Sequence, residues 1–389
     1  MFRLGLLPTR PTLSDDMYRY VWDGRVQAYG LSPYRYPPAA PELAELRRGD
    51  KTVWRYINRK DAVTVYPPGA QIFFAGLWRI VGNSLTGFKT AFVLAELFGG
   101  VLLWQLLKHF NQPPAYSLIY LWSPLLIFEV AHAGHVDGLM LPFLIAAFWA
   151  RATGRFRLLG LGLGAATLIK FFPALLLPAL LPLPRPFSLK GLRPALQMLS
   201  AFFGLIALAY LPYLAGNASA LGFLPKYFAE NFNLGLARLL FDLADYVHLS
   251  RSLLANLITF GGLALLGAAG LLRPAASARA ALLRCVWLIG WLTLFTQNLF
   301  AWYLLWLLPL LALFLEPGPC LGFRLTPLFA WFIFSGAVAL SYLFFIHWRV
   351  IPAAQAAEYW PLYFLLTASL RPRLRAMFPR LRSFRLRRA

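Results

Sequence analysis

The sequence predicts an all-α protein that crosses a lipid bilayer many times. Of its 389 residues, 59% are hydrophobic and only 13% are charged, and a water-soluble core cannot bury that much apolar surface. Several windows contain the roughly 17 to 25 apolar residues that a helical crossing needs. The net charge of +22 lies largely in short loops and a C-terminal tail, so membrane topology explains it better than nucleic acid binding does.

Five windows predict secure membrane spans, near 86–107, 195–214, 252–272, 282–300 and 325–345. Shorter or proline-interrupted stretches raise the predicted total to about ten membrane segments. Interrupted helices usually line cavities instead of facing lipid. The additional stretches are 113–128, 136–150, 158–182, 302–315 and 356–370.

The stretch 158–182 must either cross twice as short helices or re-enter the membrane, and its kink is expected at Lys170-Phe-Phe-Pro173. Basic loops at 151–157, 185–193 and 273–284, together with the tail 371–389, indicate the cytoplasmic side. The remaining loops, which are residues 1–66, the turn around His135, 215–251 and 347–357, are then expected outside.

This topology divides the chain into an outer loop at 1–66, a transmembrane bundle at 67–370 with an outer loop at 215–251, and a basic cytoplasmic tail at 371–389. Because nothing in Met1–Arg10 would carry the first loop across the membrane, we expect another membrane helix ahead of it.

The most informative polar cluster is Ser14–Gly24, which reads S-D-D-M-Y-R-Y-V-W-D-G. A helix is expected to begin at Asp15 or Asp16 and to stop at Gly30. The helix N-terminus favours ionised carboxylates, which suits either a catalytic base or a plain cap. The helical spacing places Asp16, Tyr20 and Asp23 on one face, and Arg19 can pair with Asp15 or Asp23. A salt-bridged surface helix would give the same pattern, but two acids beside a membrane favour a functional site.

A second cluster, from Glu129 to Gly138, places four ionisable side chains at a predicted turn between two short spans. Such groups are costly in hydrocarbon, so they must face a cavity or a partner unless the turn lies at the interface. Lys170, within an apolar run, either extends toward water or meets an anionic group.

Metal and disulfide chemistry have little support in the sequence. His132 and His135 form the one close histidine pair, which is a weak basis for a metal site. Cys285 and Cys320 lie in or beside membrane segments and provide no disulfide framework. We therefore expect no cofactor, while leaving a divalent cation open.

The run from Ser14 to Pro37 resembles the first outer loop of bacterial C-type (GT-C) glycosyltransferases. It is closest to the polyprenol-phosphate-mannose-dependent mannosyltransferases and to glycosyltransferase family 87. The resemblance spans nearly the whole chain, and D-D-x-Y-R-Y-x-W-D-G is its most specific part. Further matches are Tyr66-Pro67-Pro68, the block Trp122–Met140, Lys170-Phe171-Phe172-Pro173, Phe232-Asn233, Trp302-Tyr303-Leu-Leu-Trp306 and Glu358-Tyr359-Trp360-Pro361. The chain departs from the family pattern at Val136 and Ala301, where relatives often carry a polar residue and a proline.

The resemblance implies a GT-C-like bundle in the inner or plasma membrane with its active site on the outer face. It implies an inverting transfer of a sugar from a polyprenyl-phosphate donor to an acceptor glycan or glycolipid. Similarity favours mannose, and arabinofuranose, glucose or another polyprenol-linked sugar stays open. The expected partners are the donor, the acceptor and the bilayer, with no nucleic acid.

The resemblance also implies roles for individual residues. Asp15 is the first choice for the base that deprotonates the acceptor, and Asp16 is the second. Arg19, Arg25 and Lys170 are expected to neutralise the donor phosphate. The residues expected to line the sugar or acceptor pocket are Asp23, Tyr66, His135, Asp137, Trp302 and Tyr303.

A secondary transporter or a lipid-linked oligosaccharide flippase is the alternative. Transporters often contain repeated halves with broken helices in matching positions. The D-D-x-Y-R-Y element is not repeated in this chain, which favours the enzyme.

Overall fold

The computed structural model describes residues 1–48, 50, 52–186, 188–214, 222–224, 230, 232–233, 235–347 and 349–377. The structure is 72% helical, and the residues that it describes contain almost no strand, as the sequence predicts. Parts of the predicted outer loop 215–251, and the predicted basic tail from 378 onward, lie outside the described residues.

The helices follow one another with short connections. In chain order they are α1 (Phe2–Leu6), α2 (Asp16–Ala28), α3 (Ala44–Arg48), α4 (Pro68–Val81), α5 (Leu85–His109), α6 (Ser117–Leu121), α7 (Pro124–Ile127), α8 (Asp137–Ala152), α9 (Phe156–Ile169), α10 (Leu177–Leu180), α11 (Arg193–Tyr210), α12 (Ala237–Tyr246), α13 (Arg251–Leu272), α14 (Ala278–Phe295), α15 (Leu308–Phe314), α16 (Pro327–Ala337), α17 (Phe344–His347) and α18 (Pro352–Met377).

Several tighter or wider helical turns join these helices. A π-helix covers Phe128–His132, and a four-residue strand, β1, covers Pro317–Cys320. The 3-10 helices are Pro41–Leu43, Trp54–Tyr56, Pro114–Tyr116, Phe172–Leu176, Lys190–Leu192, Leu211–Tyr213, Ala301–Trp306 and Val338–Leu343.

Among the described residues, five helical segments are long and apolar enough to cross a membrane. They are Leu85–His109, Lys190–Tyr213, Arg251–Leu272, Ala278–Phe295 and Pro327–Ile346. Each coincides with one of the five secure spans predicted from the sequence, so those five predictions are confirmed. A sixth candidate is the pair Pro114–Leu121 and Pro124–His132, which bends by 53° at its break. The total of about ten membrane segments stays a prediction.

Local sequence explains where the membrane helices begin. Ser84, Ser250, Ser277 and Thr326 each accept a hydrogen bond from a backbone N–H in the first turn of α5, α13, α14 and α16. Such caps satisfy backbone donors that would otherwise have no partner. The chain therefore specifies these helix starts with single hydroxyl side chains.

Helix α8 packs against α5 and α9, α9 packs against α11, and α2 lies against α4. Every residue of α2 from Met17 to Val26 is buried, although this helix carries both acids and arginines. The helix begins at Asp16 and ends at Ala28, before Gly30 at φ +78°, so the predicted boundaries are confirmed. The polar helix α2 is thus part of the core.

The segment before α2 is tied to the membrane helix α5 by two buried ionisable residues of that helix. Glu96 accepts two hydrogen bonds from the Arg3 guanidinium, at 2.7 and 2.9 Å. The Lys89 ammonium donates to the backbone oxygens of Leu6 and Thr9, at 3.1 and 2.6 Å. Because unpaired charges are costly in a membrane helix, these contacts hold the segment that leads into α2.

Gly24 permits the close contact between α2 and α4, and this contact generates the first prediction. A Cβ atom at Gly24 would lie 2.4 Å from the backbone oxygen of Phe74 in α4, so Gly24→Ala forces the helices apart. We expect it to lower the melting temperature, with a cost of about 1–3 kcal/mol as for other overpacked sites, and to reduce activity because α2 moves. Thermal unfolding of the purified protein measures the effect.

Gly76→Ala, in α4, is the matched control because a Cβ atom there meets nothing within 4 Å. Alanine favours helix over glycine, so this control should keep or slightly raise the melting temperature. Equal effects of the two substitutions would contradict the packing argument.

Candidate active site

Three interruptions in the helices meet at one place. The first is the π-helix Phe128–His132, which leads through Gly134, at φ +75°, into α8. The second is Lys170, whose extended backbone separates α9 from the next 3-10 helix, as the predicted kink requires. The third is the 3-10 helix Ala301–Trp306. Irregular helical segments within membrane proteins typically line cavities.

At the centre of this place Asp137 accepts two strong hydrogen bonds. Lys170 Nζ donates to Oδ2 at 2.7 Å, and Trp306 Nε1 donates to Oδ1 at 2.6 Å. Asp137 is fully buried, whereas the Lys170 side chain keeps 20% of its surface exposed. The lysine is therefore paired on one side and accessible on the other.

Aromatic rings surround the Lys170 ammonium. Its nitrogen lies 5.9 Å from the ring centroid of Trp302, 5.4 Å from that of Tyr303 and 5.5 Å from that of Trp306. An ammonium has three N–H donors, and Asp137 accepts from one of them. Lys170 can consequently donate to an additional anion in a largely apolar setting, where charge interactions are strong.

A second series of polar contacts joins His135 to Ser14, just before the start of α2. Nε2 of His135 lies 3.0 Å from the hydroxyl oxygen of Ser14, and Nδ1 lies 2.8 Å from Oε2 of Glu129. The imidazole ring stacks on Trp302 with centroids 3.9 Å apart. Tyr342, on a distant membrane helix, donates its hydroxyl to the Glu129 carboxylate at 2.8 Å. The network fixes Ser14, whose hydroxyl in turn accepts a hydrogen bond from the Asp16 amide at 3.3 Å.

The two neighbouring aspartates have different surroundings. Asp15 is the N-cap of α2 and is exposed, without a side-chain capping bond. Desolvation of the carboxyl group by neighbouring protein atoms raises the pKa of Asp15 above its ordinary value, and the negative charge of Asp16 raises it further. Asp16 is half-buried, and its Oδ1 accepts a hydrogen bond from Asn58 Nδ2 at 3.1 Å.

Tyr20, which is buried, and Tyr66, which is half-buried, interact electrostatically with Asp16. Tyr20 and Tyr66 pack edge to face with ring centroids 4.8 Å apart. Burial raises the pKa of each phenol well above its ordinary value, and the Asp16 carboxylate raises it further. The Asp137 carboxylate also raises the pKa of the Tyr20 phenol. The carboxylates of Asp16 and Asp137 therefore both disfavour ionisation of the Tyr20 phenol.

Two of the residues predicted for phosphate and sugar contacts serve as internal anchors. Arg19 donates to Asp23 at 2.7 Å and to the backbone oxygen of Ala62 at 3.0 Å, which confirms one of the two ion pairs considered for Arg19. Gln71 of α4 donates to the other oxygen of Asp23 at 2.9 Å. The remaining terminal nitrogen of Arg19 is buried with no hydrogen-bond partner among the described residues.

Arg25 points to another side of α2 and lies 3.1 Å from the carboxylate of Asp50. From the predicted set, the structure thus brings together Asp16, Tyr66, His135, Asp137, Lys170, Trp302 and Tyr303. It places Arg19, Asp23 and Arg25 in structural ion pairs. The roles predicted for all of these residues stay predictions.

Two members of the cluster were not singled out from the sequence. Asn58 stands in a basic and polar loop, and Tyr342 stands in an apolar span that aromatic residues often occupy. Tyr342 and Glu129 are 213 residues apart in sequence, and nothing in the pattern of a single chain indicates such a pairing.

The two close histidines do not act together. His132 contacts the hydroxyls of Thr9 and Thr12 at 2.7 and 2.9 Å, whereas His135 faces Ser14 and Glu129. Within the described part of the chain, no three His, Cys, Asp or Glu side chains come together as a metal ligand group.

The cluster combines a half-buried carboxylate, a partly accessible ammonium and aromatic walls in a membrane-embedded protein. These groups suit transfer of a group between an alcohol and an anionic leaving group, since a carboxylate can accept the proton and an ammonium can stabilise the anion.

Comparison with protein families agrees with that chemistry and defines the class: the protein is a membrane hexosyltransferase of the mannosyltransferase type. Residues 1–184 match the MptA_B family, described as alpha-(1->6)-mannopyranosyltransferase, N-terminal domain, so this part of the chain is similar to that family. The family resemblance predicted from the sequence is confirmed. No curated protein and no solved structure gives a significant match.

The pairing of Asp137 with Lys170 generates the second prediction. Asp137→Ala leaves the ammonium without its carboxylate, and we expect a lower melting temperature and a cost of up to about 3 kcal/mol. This is the low end of the range for broken buried pairs, because Lys170 keeps some contact with water. The double variant Asp137→Ala/Lys170→Met should recover most of the loss, which thermal unfolding measures.

Asp242→Ala provides the control, since Asp242 pairs with Arg238 at 3.5 Å on the exposed face of α12. Exposed pairs contribute about 0–1 kcal/mol, so the melting temperature should hardly change. A double variant as unstable as Asp137→Ala alone would show that the pair is not the source of the stability.

Proposed function

We propose that this protein transfers mannose from a polyprenyl-phosphate donor to an acceptor glycan or glycolipid on the outer face of the membrane, with inversion at the anomeric carbon. The observation that carries the proposal is the series of contacts that joins Asp16 to Lys170 through Ser14, His135 and Trp302. The family match supports mannose as the sugar.

The proposed topology follows the sequence prediction. Residues 1–66 form an outer catalytic loop, 67–370 form the transmembrane bundle, and 371–389 form a basic cytoplasmic tail. A lipid-linked donor would then enter from the bilayer beside the interrupted helices, and the acceptor would approach from water. The burial of the cluster supports this arrangement, since a partly dry site strengthens charge interactions.

Asp16 is the base in this proposal, ahead of Asp15. Asp16 is half-buried and its amide donates to Ser14, which contacts His135, whereas Asp15 is exposed at the helix start. The Asn58 amide hydrogen bond leaves the other Asp16 oxygen able to accept a proton. The network from Glu129 through His135 to Ser14 holds the backbone of this residue in place.

The reaction is a single displacement. Asp16 takes the proton of the acceptor hydroxyl as that oxygen bonds to the anomeric carbon. The bond between the anomeric carbon and the phosphate oxygen breaks, and its electron pair leaves with polyprenyl phosphate. Lys170 stabilises the added negative charge on that phosphate. Attack from the face opposite the leaving group inverts the anomeric carbon.

The third prediction separates the two aspartates. Asp16→Asn removes the base, so we expect kcat to fall by about 10²–10⁴-fold, which is the usual contribution of general base catalysis. Asp15→Asn should change kcat by less than about tenfold, because Asp15 is exposed at the start of α2. The assay measures release of polyprenyl phosphate and appearance of radiolabelled mannose on a mannoside acceptor by the purified protein.

Equal melting temperatures would show that both variants are folded. A large loss in Asp15→Asn with normal turnover in Asp16→Asn would reverse the assignment. If the folded wild-type protein turns over no polyprenyl-phosphate-linked sugar, including mannose, arabinofuranose and glucose, the proposal fails and the transporter or flippase alternative gains support.

A further inference from the structure

A basic groove lies where the beginnings of α9 and α11 meet. Its volume is about 480 Å³, and the basic side chains that line it are those of Arg157, Lys190 and Arg193. This volume falls within the range of roughly 300–1,000 Å³ that is usual for sites that bind small molecules. None of the three cations takes part in the contacts of Lys170 or Asp16 described above.

The packing of α9 on α11 places the groove far from the candidate active site. A Cβ atom at Gly160 would overlap the backbone oxygen of Met198. A Cβ atom at Gly164 would lie 3.3 Å from the backbone oxygen of Phe202. Because these contacts advance in the same sense along both helices, the two helices are parallel and both begin at the groove. Lys170 follows the other end of α9, whose 14 residues span about 20 Å, so the two sites are separate.

No acidic side chain among the described residues balances the groove cations. The described lining contains no Asp or Glu, and the sequence has neither between Asp137 and Glu230. Exposed arginines elsewhere do pair with acids, as Arg238 does with Asp242. The ion pairs found in the described part of the chain include none of the three groove cations. The groove therefore keeps a concentrated positive charge, which favours an anionic ligand.

The donors in the groove suit the oxygens of a phosphate group. Arg193 and Gln197 lie four residues apart, on the same face of α11, and both line the groove. A guanidinium presents paired N–H donors whose spacing matches two phosphate oxygens. The amide of Gln197 can supply further N–H donors, and Lys190 adds a point charge. A phosphate is thus the anion that these side chains recognise best.

An apolar strip of α11 continues from the groove. The segment Lys190–Tyr213 is long and apolar enough to cross a membrane, yet only 17% of its most apolar stretch is buried. Leu196, which lines the groove, is 62% exposed, and Phe203, seven residues further on the same face, is 57% exposed. A soluble phosphate compound would leave this strip unused. A phospholipid contacts both parts, since its headgroup is anionic and its acyl chains are apolar.

We propose that the groove binds the phosphodiester headgroup of an anionic phospholipid whose acyl chains lie along α11. Residues of the basic loops 151–157 and 185–193 line the groove, and both loops are predicted on the cytoplasmic side. The cytoplasmic leaflet carries anionic lipid, and basic pockets between membrane helices on that side bind such headgroups. Positive charge that only sets topology needs no groove. The inference does not depend on the proposed transfer reaction.

Lipid binding to the purified full chain in detergent, measured by native mass spectrometry, tests the proposal. The probe is dioleoyl phosphatidylglycerol, and dioleoyl phosphatidylcholine is the comparison without net charge. The wild type should bind one phosphatidylglycerol about tenfold or more tighter than phosphatidylcholine. Arg157→Gln/Arg193→Gln should weaken phosphatidylglycerol binding by about 10- to 100-fold, and Lys190→Gln alone by about fivefold, as expected for cations near an anionic headgroup.

Arg273→Gln/Arg279→Gln is the matched control, because it removes the same charge from exposed residues of another basic loop that do not line the groove. Salt screens such distant charges, so the control should bind phosphatidylglycerol as the wild type does. All variants should keep the wild-type melting temperature, since the substituted side chains are exposed. The proposal is wrong if the control loses as much affinity as the groove variant, or if the wild type binds the two lipids equally.

Two further ligands distinguish the possible sources of the phosphate. Inorganic phosphate at the same concentration as phosphatidylglycerol should not displace the lipid, because it cannot use the apolar strip. Displacement would show that the groove binds a soluble anion. Tighter binding of farnesyl phosphate than of phosphatidylglycerol would instead make the groove a site for a polyprenyl carrier. Either result would overturn the assignment to a phospholipid.

Discussion

The buried pair between Asp137 and Lys170 is the interaction on which the rest of the site depends. Each charge alone would cost several kcal/mol in an apolar interior, and pairing offsets that cost only with close geometry. The pair therefore requires α8 to begin and α9 to end at the same level of the bundle. Trp306 adds the second hydrogen bond to Asp137, so the 3-10 helix Ala301–Trp306 must also end there. One carboxylate thus fixes three interruptions of the helical backbone.

The same requirement explains how a polar helix becomes part of the core. Helix α2 reaches the cluster only because Gly24 allows its backbone to touch α4, and because Arg3 and Lys89 hold the segment that precedes it. Glu96 of α5 neutralises the charge of Arg3 in this segment, and Lys89 of α5 holds its backbone. The result is a rigid frame with two accessible groups, the Lys170 ammonium and the Asp16 carboxylate.

Hydrophobic length and helix caps made the five long membrane helices and the limits of α2 predictable from the sequence. The kink at Lys170 was predictable as well, because proline follows it within three residues. Which side chains contact one another within the site was harder to predict from the sequence. Charge and spacing suggested that Arg19 and Asp23 pair, but nothing local indicates that Lys170 meets Asp137 or that Tyr342 meets Glu129. Such contacts depend on how the helices pack. The sequence predicted phosphate contacts for Arg25 and Lys170 alike, because it could not show that Arg25 pairs with Asp50.

The most direct test of the account is a structure of the protein with a stable phosphonate analogue of polyprenyl-phosphate-mannose, determined by electron cryo-microscopy. We expect the phosphonate oxygens within hydrogen-bond distance of Lys170 Nζ and the anomeric carbon turned toward Asp16. A phosphonate bound away from this cluster, for example in the basic groove lined by Arg157, Lys190 and Arg193, would contradict the central claim.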